Sequence, residues 1–338
     1  MPESQADYGR PTKMAARAYM AKVYLYQSKW KECLEACDEV IQSGKYELFP
    51  DFRNVFLPEN DNCSEIIFAI QLSINDGSPN NENGSYGDRL LPPGGPYPVY
   101  GFLRPTQNLV NAYKTDVKGL PYNDGKDVSE NDYVDVRLDH TLARPNIQLY
   151  DWTPREASVY GPYSPKKRLV SLNSTYYSPI WPYVNALNFY VIRYADLLLW
   201  RAEAAIETGD LETGRKYINM IRERAKNTQH VKTMDQSQDA ANYKVGVYDE
   251  PFKSKNEAVQ ALRMERRLEM AHEGIRFFDL VRWGVADEVI NAYIAKEKVF
   301  RSHLQNAHFV KGKHEYFPIP QSMIDICGTE VMKQNPGY

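Results

Sequence analysis

No apolar run in this chain reaches the roughly 18 to 20 residues that a membrane-spanning helix needs. Histidine is scarce and scattered, at His140, His230, His272, His303, His308 and His314, with no H-E-x-x-H pair and no cluster at zinc spacing. No G-x-S-x-G elbow, P-loop or dinucleotide fingerprint occurs, so the common hydrolase, nucleotidase and dehydrogenase signatures are missing. With 44 acidic residues some pair always resembles a glycosidase dyad, so carboxylates alone carry no catalytic argument. The net charge of -3 lacks the basic excess of a nucleic-acid binder. The first ten residues are polar and lack the apolar core of a signal peptide, and no cysteine stands near the start to carry a lipid.

Cysteine is sparse too, at Cys33, Cys37, Cys63 and Cys327. Cys33 and Cys37 stand four apart on a predicted helix, with Cβ atoms about 5 to 6 Å apart, beyond the usual ~3.5 to 4.5 Å of a disulfide. No C-x-x-C occurs, so buried free thiols are expected. The count does not fix the redox compartment.

What the chain has in excess is tyrosine, 25 residues, beside 12 phenylalanines and 5 tryptophans. A ring with an apolar face and a polar tip suits wet surfaces that hold flat, hydroxylated ligands, and it equally suits a core. The composition, 43% hydrophobic and 25% charged, is that of a globular chain.

Helical periodicity marks two hairpins. Thr12 can cap a helix reaching Gln27, and a break at Ser28–Lys29 leads to a second helix from Trp30 to Ser43, closed by Gly44. The pair is about 34 residues long, the size of a tetratricopeptide unit. The second hairpin spans Val191 to Ala225, with its turn at Gly209–Asp210. A shift of 181 maps Ala21 on Ala202, Cys33 on Gly214, Cys37 on Ile218 and Val40 on Ile221, so small and apolar positions coincide. For the hairpins to stack, the chain between them must leave and return.

That intervening chain is rich in Pro, Gly, Asn and Tyr. Ser64 to Leu72 reads as a short strand, and Pro105 to Tyr113 as a helix with Thr106 as cap. After Ala225 a polar loop leads to helical blocks at Asn256–Gly274, Ile275–Trp283 and Val285–Val299, and the tail carries a short helix at Gln321–Ile326. Three stretches result: residues 1–44, a tetratricopeptide-like hairpin; 45–190, a loop-rich aromatic region expected to carry the ligand face; and 191–338, the second hairpin and closing helices. Together they are expected to form one compact, mostly α domain with short strands.

In Arg263–Gly284 five arginines (263, 266, 267, 276, 282) face four acids (Glu265, Glu269, Glu273, Asp279). Spacings of three permit Arg266–Glu269, Arg276–Asp279 and Asp279–Arg282 pairs, worth only about 0.2 to 0.5 kcal/mol each if exposed. The expected role is structural, with Arg forks tying this segment to loops and tail.

The aromatic belt of residues 86–183 is the binding candidate. The axial C–H face of a pyranose sits on an aromatic plane, while its equatorial hydroxyls need amide, carboxylate or guanidinium groups at the edge. The selected residues are Trp152, Trp181, Tyr183, Tyr177, Tyr100, Tyr97 and Tyr163, with Asn83 and Arg89 as polar edges. Trp152 and Trp181 stand in Pro-flanked loops (D-W-T-P and S-P-I-W-P) that would hold a ring rigidly. The competing reading is that these rings pack the irregular region onto the helices.

Several segments then resemble the SusD/RagB family: Gly9–Tyr26, the P-T-Q-N-L-V-N-A-Y run ending at Tyr113, Asp135–Leu138 (D-V-R-L, with Val136 where the family has Pro), Tyr190–Ala204, Ile218–Ala225, Arg263–Gly284, F-P-I-P-Q from Phe317 and the closing Q-N-P-G-Y. The resemblance implies a SusD-like fold and non-catalytic capture of oligosaccharide at the outer membrane. Its implied partner is a SusC-like TonB-dependent transporter, with no cofactor and no metal. It also implies a signal peptide, a lipidated Cys and a helical N-terminal part, so the chain is expected to correspond to the C-terminal two-thirds of such a protein. A tetratricopeptide-type scaffold for protein partners and a glycoside hydrolase are the alternatives.

Overall fold

Thr12 caps the first helix as expected, its Oγ accepting from Ala15 N–H at 3.2 Å. The computed structural model describes residues 1–85, 101–152 and 161–338. Helix α1 (Lys13–Tyr26) buries Ala15, Ala18, Ala21 and Leu25, and α2 (Trp30–Gln42) buries Cys33, Ala36, Cys37 and Val40. The small residues let the two axes approach, and all four cysteines are free thiols.

After α2 the chain leaves the helices. Strand β1 (Ile66–Ile70) is followed by α3 (Gln107–Ala112), β2 (Lys114–Thr115), β3 (Tyr133–Val134), α4 (Arg137–Thr141), β4 (Leu142–Ala143), β5 (Ser164–Pro165) and β6 (Phe189–Arg193). Strand β6 pairs antiparallel with β1, Ile66 opposite Arg193 and Ile70 opposite Phe189. The second hairpin was expected to be helical from Val191. Its first residues instead belong to β6, because the F-Y-V-I run is aromatic and β-branched and finds a partner strand.

The second hairpin is α5 (Tyr194–Glu207) and α6 (Leu211–Lys226), which Asp210 caps by accepting from Thr213 N–H at 3.0 Å. A Cβ at Gly214 would lie 2.4 Å from Ile206 Cγ1, so only glycine permits this helix approach. Strand β7 (Asn242–Tyr243) runs parallel to β3, which also pairs with β2, and β4 pairs with β5. Helix α7 (Lys255–Glu269) packs on α5 and α6, while α2 packs on α5. The hairpins therefore join in space across the intervening chain. The fold is mostly α, a tetratricopeptide-like stack with short strands.

Residues 1–272 form one compact unit and 273–338 a second. In the second, α8 (Arg276–Arg282) and α9 (Ala286–Glu297) hold a small core of Leu280, Ala286 and Phe309, and a short helix α10 (Gln321–Cys327) follows in the tail. The expected Asp279–Arg282 pair forms there at 2.8 Å.

The acids of α7 turn inward. Glu269 meets Arg137 at 3.0 Å, Arg193 at 3.2 Å and Arg224 at 2.5 Å. Glu265 meets Arg137 at 2.6 Å and Arg222 at 2.9 Å. Asp135 holds Arg137 from the other side at 2.7 Å, and Glu65 bridges Arg193 and Arg224. All these side chains are buried. Burial opposes the charge on Glu269, but Arg224, Arg193 and Arg137 together hold its pKa below the ordinary carboxylate value. Arg266 pairs with Asp196 of α5 at 2.8 Å, and Lys167 donates to the carbonyls of Glu269 and Ala271 at 2.6 and 3.1 Å. The Arg/Glu segment thus ties α4, β6, α5, α6 and the loop at Lys167 to one helix.

Candidate functional site

The loop of residues 171–186 starts from a fixed point. The Asp151 carboxylate accepts from Ser171 Oγ–H at 2.6 Å and from the N–H groups of Leu172 and Asn173, both at 2.8 Å. Below it, Trp152 donates from Nε1 to Val170 O at 2.7 Å and meets the Tyr177 ring edge to face at 5.7 Å. With Leu149, Leu169 and Leu187 these rings form a small apolar cluster. The sequence placed Trp152 and Tyr177 at the ligand face, but they are only 3% and 4% exposed. Trp152 goes inward because the Val170 carbonyl satisfies its indole N–H, which lets the whole ring be buried.

Above this cluster the chain closes on itself. Ser178 N–H donates to Val184 O and Tyr183 N–H to Ile180 O, each at 2.8 Å. The Trp181–Pro182 peptide is cis, and Tyr183 has φ 59°, a left-handed conformation that is uncommon for a bulky residue. Tyr183 is half-buried against the cluster, whereas Trp181 is 52% exposed. The two rings meet at 5.7 Å between centroids with planes at 89°. Ile180 and Tyr176 are exposed beside them in sequence.

A second loop, residues 73–85, is bound to the first. Ser85 and Asn185 exchange N–H···O bonds of 2.7 and 3.1 Å, and Asn81 Nδ2 donates to Ser178 Oγ at 3.2 Å. A Cβ at Gly84 would fall 2.8 Å from Val184 Cγ2, so glycine allows the contact. Asn83 is exposed on this loop and donates from Nδ2 to Asp76 Oδ2 at 2.8 Å. Hydrogen bonds from Ser73, Ser78 and Asn83 hold Asp76 below its ordinary pKa, keeping an anionic, multiply bonded turn in place. Asp76 was missed in the sequence, although its S-x-x-D-x-S setting is a side-chain turn signal.

Of the predicted residues, Trp181, Tyr183 and Asn83 thus belong to two joined loops. Tyr163 lies elsewhere, half-buried against the Val110 and Tyr113 cluster and donating to Gln107 Oε1. Tyr97, Tyr100 and Arg89 lie outside the described residues. Among the described residues no three His, Cys, Asp or Glu side chains gather as a metal site, and no helix is long and apolar enough to cross a membrane. In the C-terminal unit a cavity of about 790 Å³ opens among Phe277, Phe278, Phe309, Tyr316, Phe317 and Tyr338.

A helical-repeat frame carrying its exposed rings on long inserted loops defines a scaffold class. Residues 64–338 match the SusD family, and the chain belongs to that family. SusD-like protein P25 of Formosa agariphila is 25% identical over 345 residues, covering 95% of this chain and 58% of that protein. The crystal structure of a SusD superfamily protein from Bacteroides vulgatus gives a TM-score of 0.71 at 25% identity, covering 100% of this chain and 65% of the other. Surface glycan-binding protein A from Bacteroides thetaiotaomicron, solved in complex with laminarihexaose, gives 0.68 at 23% identity, covering 99% of this chain and 66% of the other, a likeness of fold. The chain therefore spans less than two-thirds of the length of these relatives.

Proposed function

We propose that this chain binds oligosaccharide without altering it and serves to deliver it to a TonB-dependent outer-membrane transporter. The observation that carries the reading is the exposed Trp181 ring braced by Tyr183 on a loop that hydrogen bonds hold in one shape. A rigid apolar plane takes the C–H face of a pyranose, and preorganisation keeps the entropic cost of binding low. Exposed Asn83 and the anionic Asp76 supply hydroxyl partners on the adjoining loop. The laminarihexaose bound by surface glycan-binding protein A adds support, since that protein shares this fold. Outward-facing placement at the outer membrane, a lipid anchor and a SusC-like partner follow from the family by analogy. Tethering beside a transporter would raise the local concentration of binding sites, so weak individual contacts would suffice.

Isothermal titration against a glycan panel tests the binding. Trp181→Ala is expected to weaken the tightest interaction by about 30-fold, as for truncation of an anchor residue worth about 2 kcal/mol. Unchanged affinity would remove the ring from the site. Chromatography of the same glycans after long incubation is expected to show no shortened products; their appearance would favour a hydrolase. Co-purification of a TonB-dependent transporter from outer membranes tests the delivery role.

One observation favours a second reading, a protein-interaction scaffold: the cavity walled by Phe277, Phe278 and Phe309 suits an apolar side chain of another protein. Phe278→Asp separates the two, because it would abolish such docking and leave glycan affinity intact.

A further inference from the structure

Two rings that together serve a flat sugar chain should lie in parallel planes, and exposed Trp181 and half-buried Tyr183 do not. Their planes stand at 89°, with centroids 5.7 Å apart. We propose, resting on the carbohydrate reading above, that this corner selects glycans whose chain turns from one residue to the next and disfavours flat β-1,4-linked ribbons. In such a ribbon successive pyranose rings keep their planes parallel, so a ribbon laid on one ring presents only its edge to the other. A β-1,3 or α-1,4 linkage rotates each ring against the last. Neighbouring C–H faces then meet both walls of the corner together.

The corner is built so that binding does not flatten it. The backbone of Tyr183 is fixed at φ 59° by its N–H bond to Ile180 O, and the loop is closed by Ser178 N–H on Val184 O. The inner side of Tyr183 rests on the cluster of Trp152 and Tyr177, so its ring has little room to swing towards the Trp181 plane. From the other side Gly84 is pressed on Val184. Trp181, by contrast, is half open to solvent, which leaves it as the wall a ligand reaches first.

The test is calorimetric titration of the full chain with four hexaoses: laminarihexaose (β-1,3) and maltohexaose (α-1,4), against cellohexaose and mannohexaose (both β-1,4). At least one turning hexaose is expected to bind tenfold or more tighter than either ribbon. Tyr183→Ala is expected to bring that ratio near one while the Trp181 stack persists, and Trp181→Ala to weaken every hexaose. Circular dichroism and thermal unfolding check that the variants fold, and the wild-type ratio stands without them. A wild-type ratio below tenfold overturns the proposal, as does a folded Tyr183→Ala variant with the ratio unchanged. Binding without shape preference sinks the corner alone. Absence of binding to all four hexaoses sinks the corner and, when extended to the wider glycan panel, the carbohydrate reading too.

Discussion

Glu269→Gln removes one charge and almost no volume from a buried carboxylate that meets three guanidinium groups. In the wild type Glu65, Asp135, Glu265 and Glu269 face Arg137, Arg193, Arg222 and Arg224, so formal charges balance four to four. The substitution leaves four guanidinium groups against three carboxylates, with the buried Lys167 ammonium close by at the Glu269 carbonyl. Water does not reach these groups to screen the surplus. Removing one partner of a buried pair costs about 3 to 5 kcal/mol. That is a large part of the roughly 5 to 15 kcal/mol by which domains are stable. Urea unfolding followed by circular dichroism measures the loss, with Glu212→Gln as control, since Glu212 of the Arg215–Glu212 pair is exposed and water screens it. The double variant Glu269→Gln, Arg224→Gln restores the balance at three to three and is expected to recover part of the loss. If Glu269→Gln costs under about 1 kcal/mol, or no more than the control, the network is not what holds these elements together. The sign with pH follows from the depressed pKa: the Glu269 contribution is present above the ordinary carboxylate range and is lost only as pH falls through the lower folded-state value.

Gly84→Ala places a Cβ against Val184 and is expected to cost about 1 to 3 kcal/mol or to part the two loops, visible as weakened glycan binding. Gly214→Ala meets Ile206 and is expected to lower the unfolding temperature by a similar free energy of about 1 to 3 kcal/mol, with binding unaffected. Burial pushes the His140 pKa down to about 4, while its Nε2 contacts Gln229 O at 2.7 Å. The unfolded chain therefore takes up a proton below pH ~6.5 that the folded chain refuses, and stability falls from there towards pH 4 by on the order of 3 kcal/mol. His140→Gln is expected to flatten that slope. Asp61, raised by burial to about 6, acts in the opposite sense between about pH 4 and 6, so Asp61→Asn should steepen it. Unfolding curves at pH 4, 5, 6 and 7 decide both.

The hairpins were legible because their signals are local: a Thr12 cap, small residues at matched positions and a helical period all act within a few turns. The start of the second hairpin was misplaced, since Val191 and Ile192 are strand only because β1 reaches them from more than a hundred residues away. The Arg/Glu segment announced a structural role, but its partners, Arg137, Arg193 and Arg224, are distant in sequence and became visible only in three dimensions. The aromatic belt was legible as composition and not as exposure. Trp152 and Trp181 sit in similar Pro-flanked loops, yet a carbonyl at Val170 takes one ring into the core while the other stays outside.

Because α2 rests directly on α5, the polypeptide between the hairpins is a detour whose two ends are already side by side. Lengthening such a detour is inexpensive: doubling a flexible loop adds only about 0.6 kcal/mol of closure entropy. Insertions, deletions and wholesale replacement of its tips can therefore accumulate without disturbing the joint. A lineage built on this plan is free to retool what it catches while inheriting the same chassis.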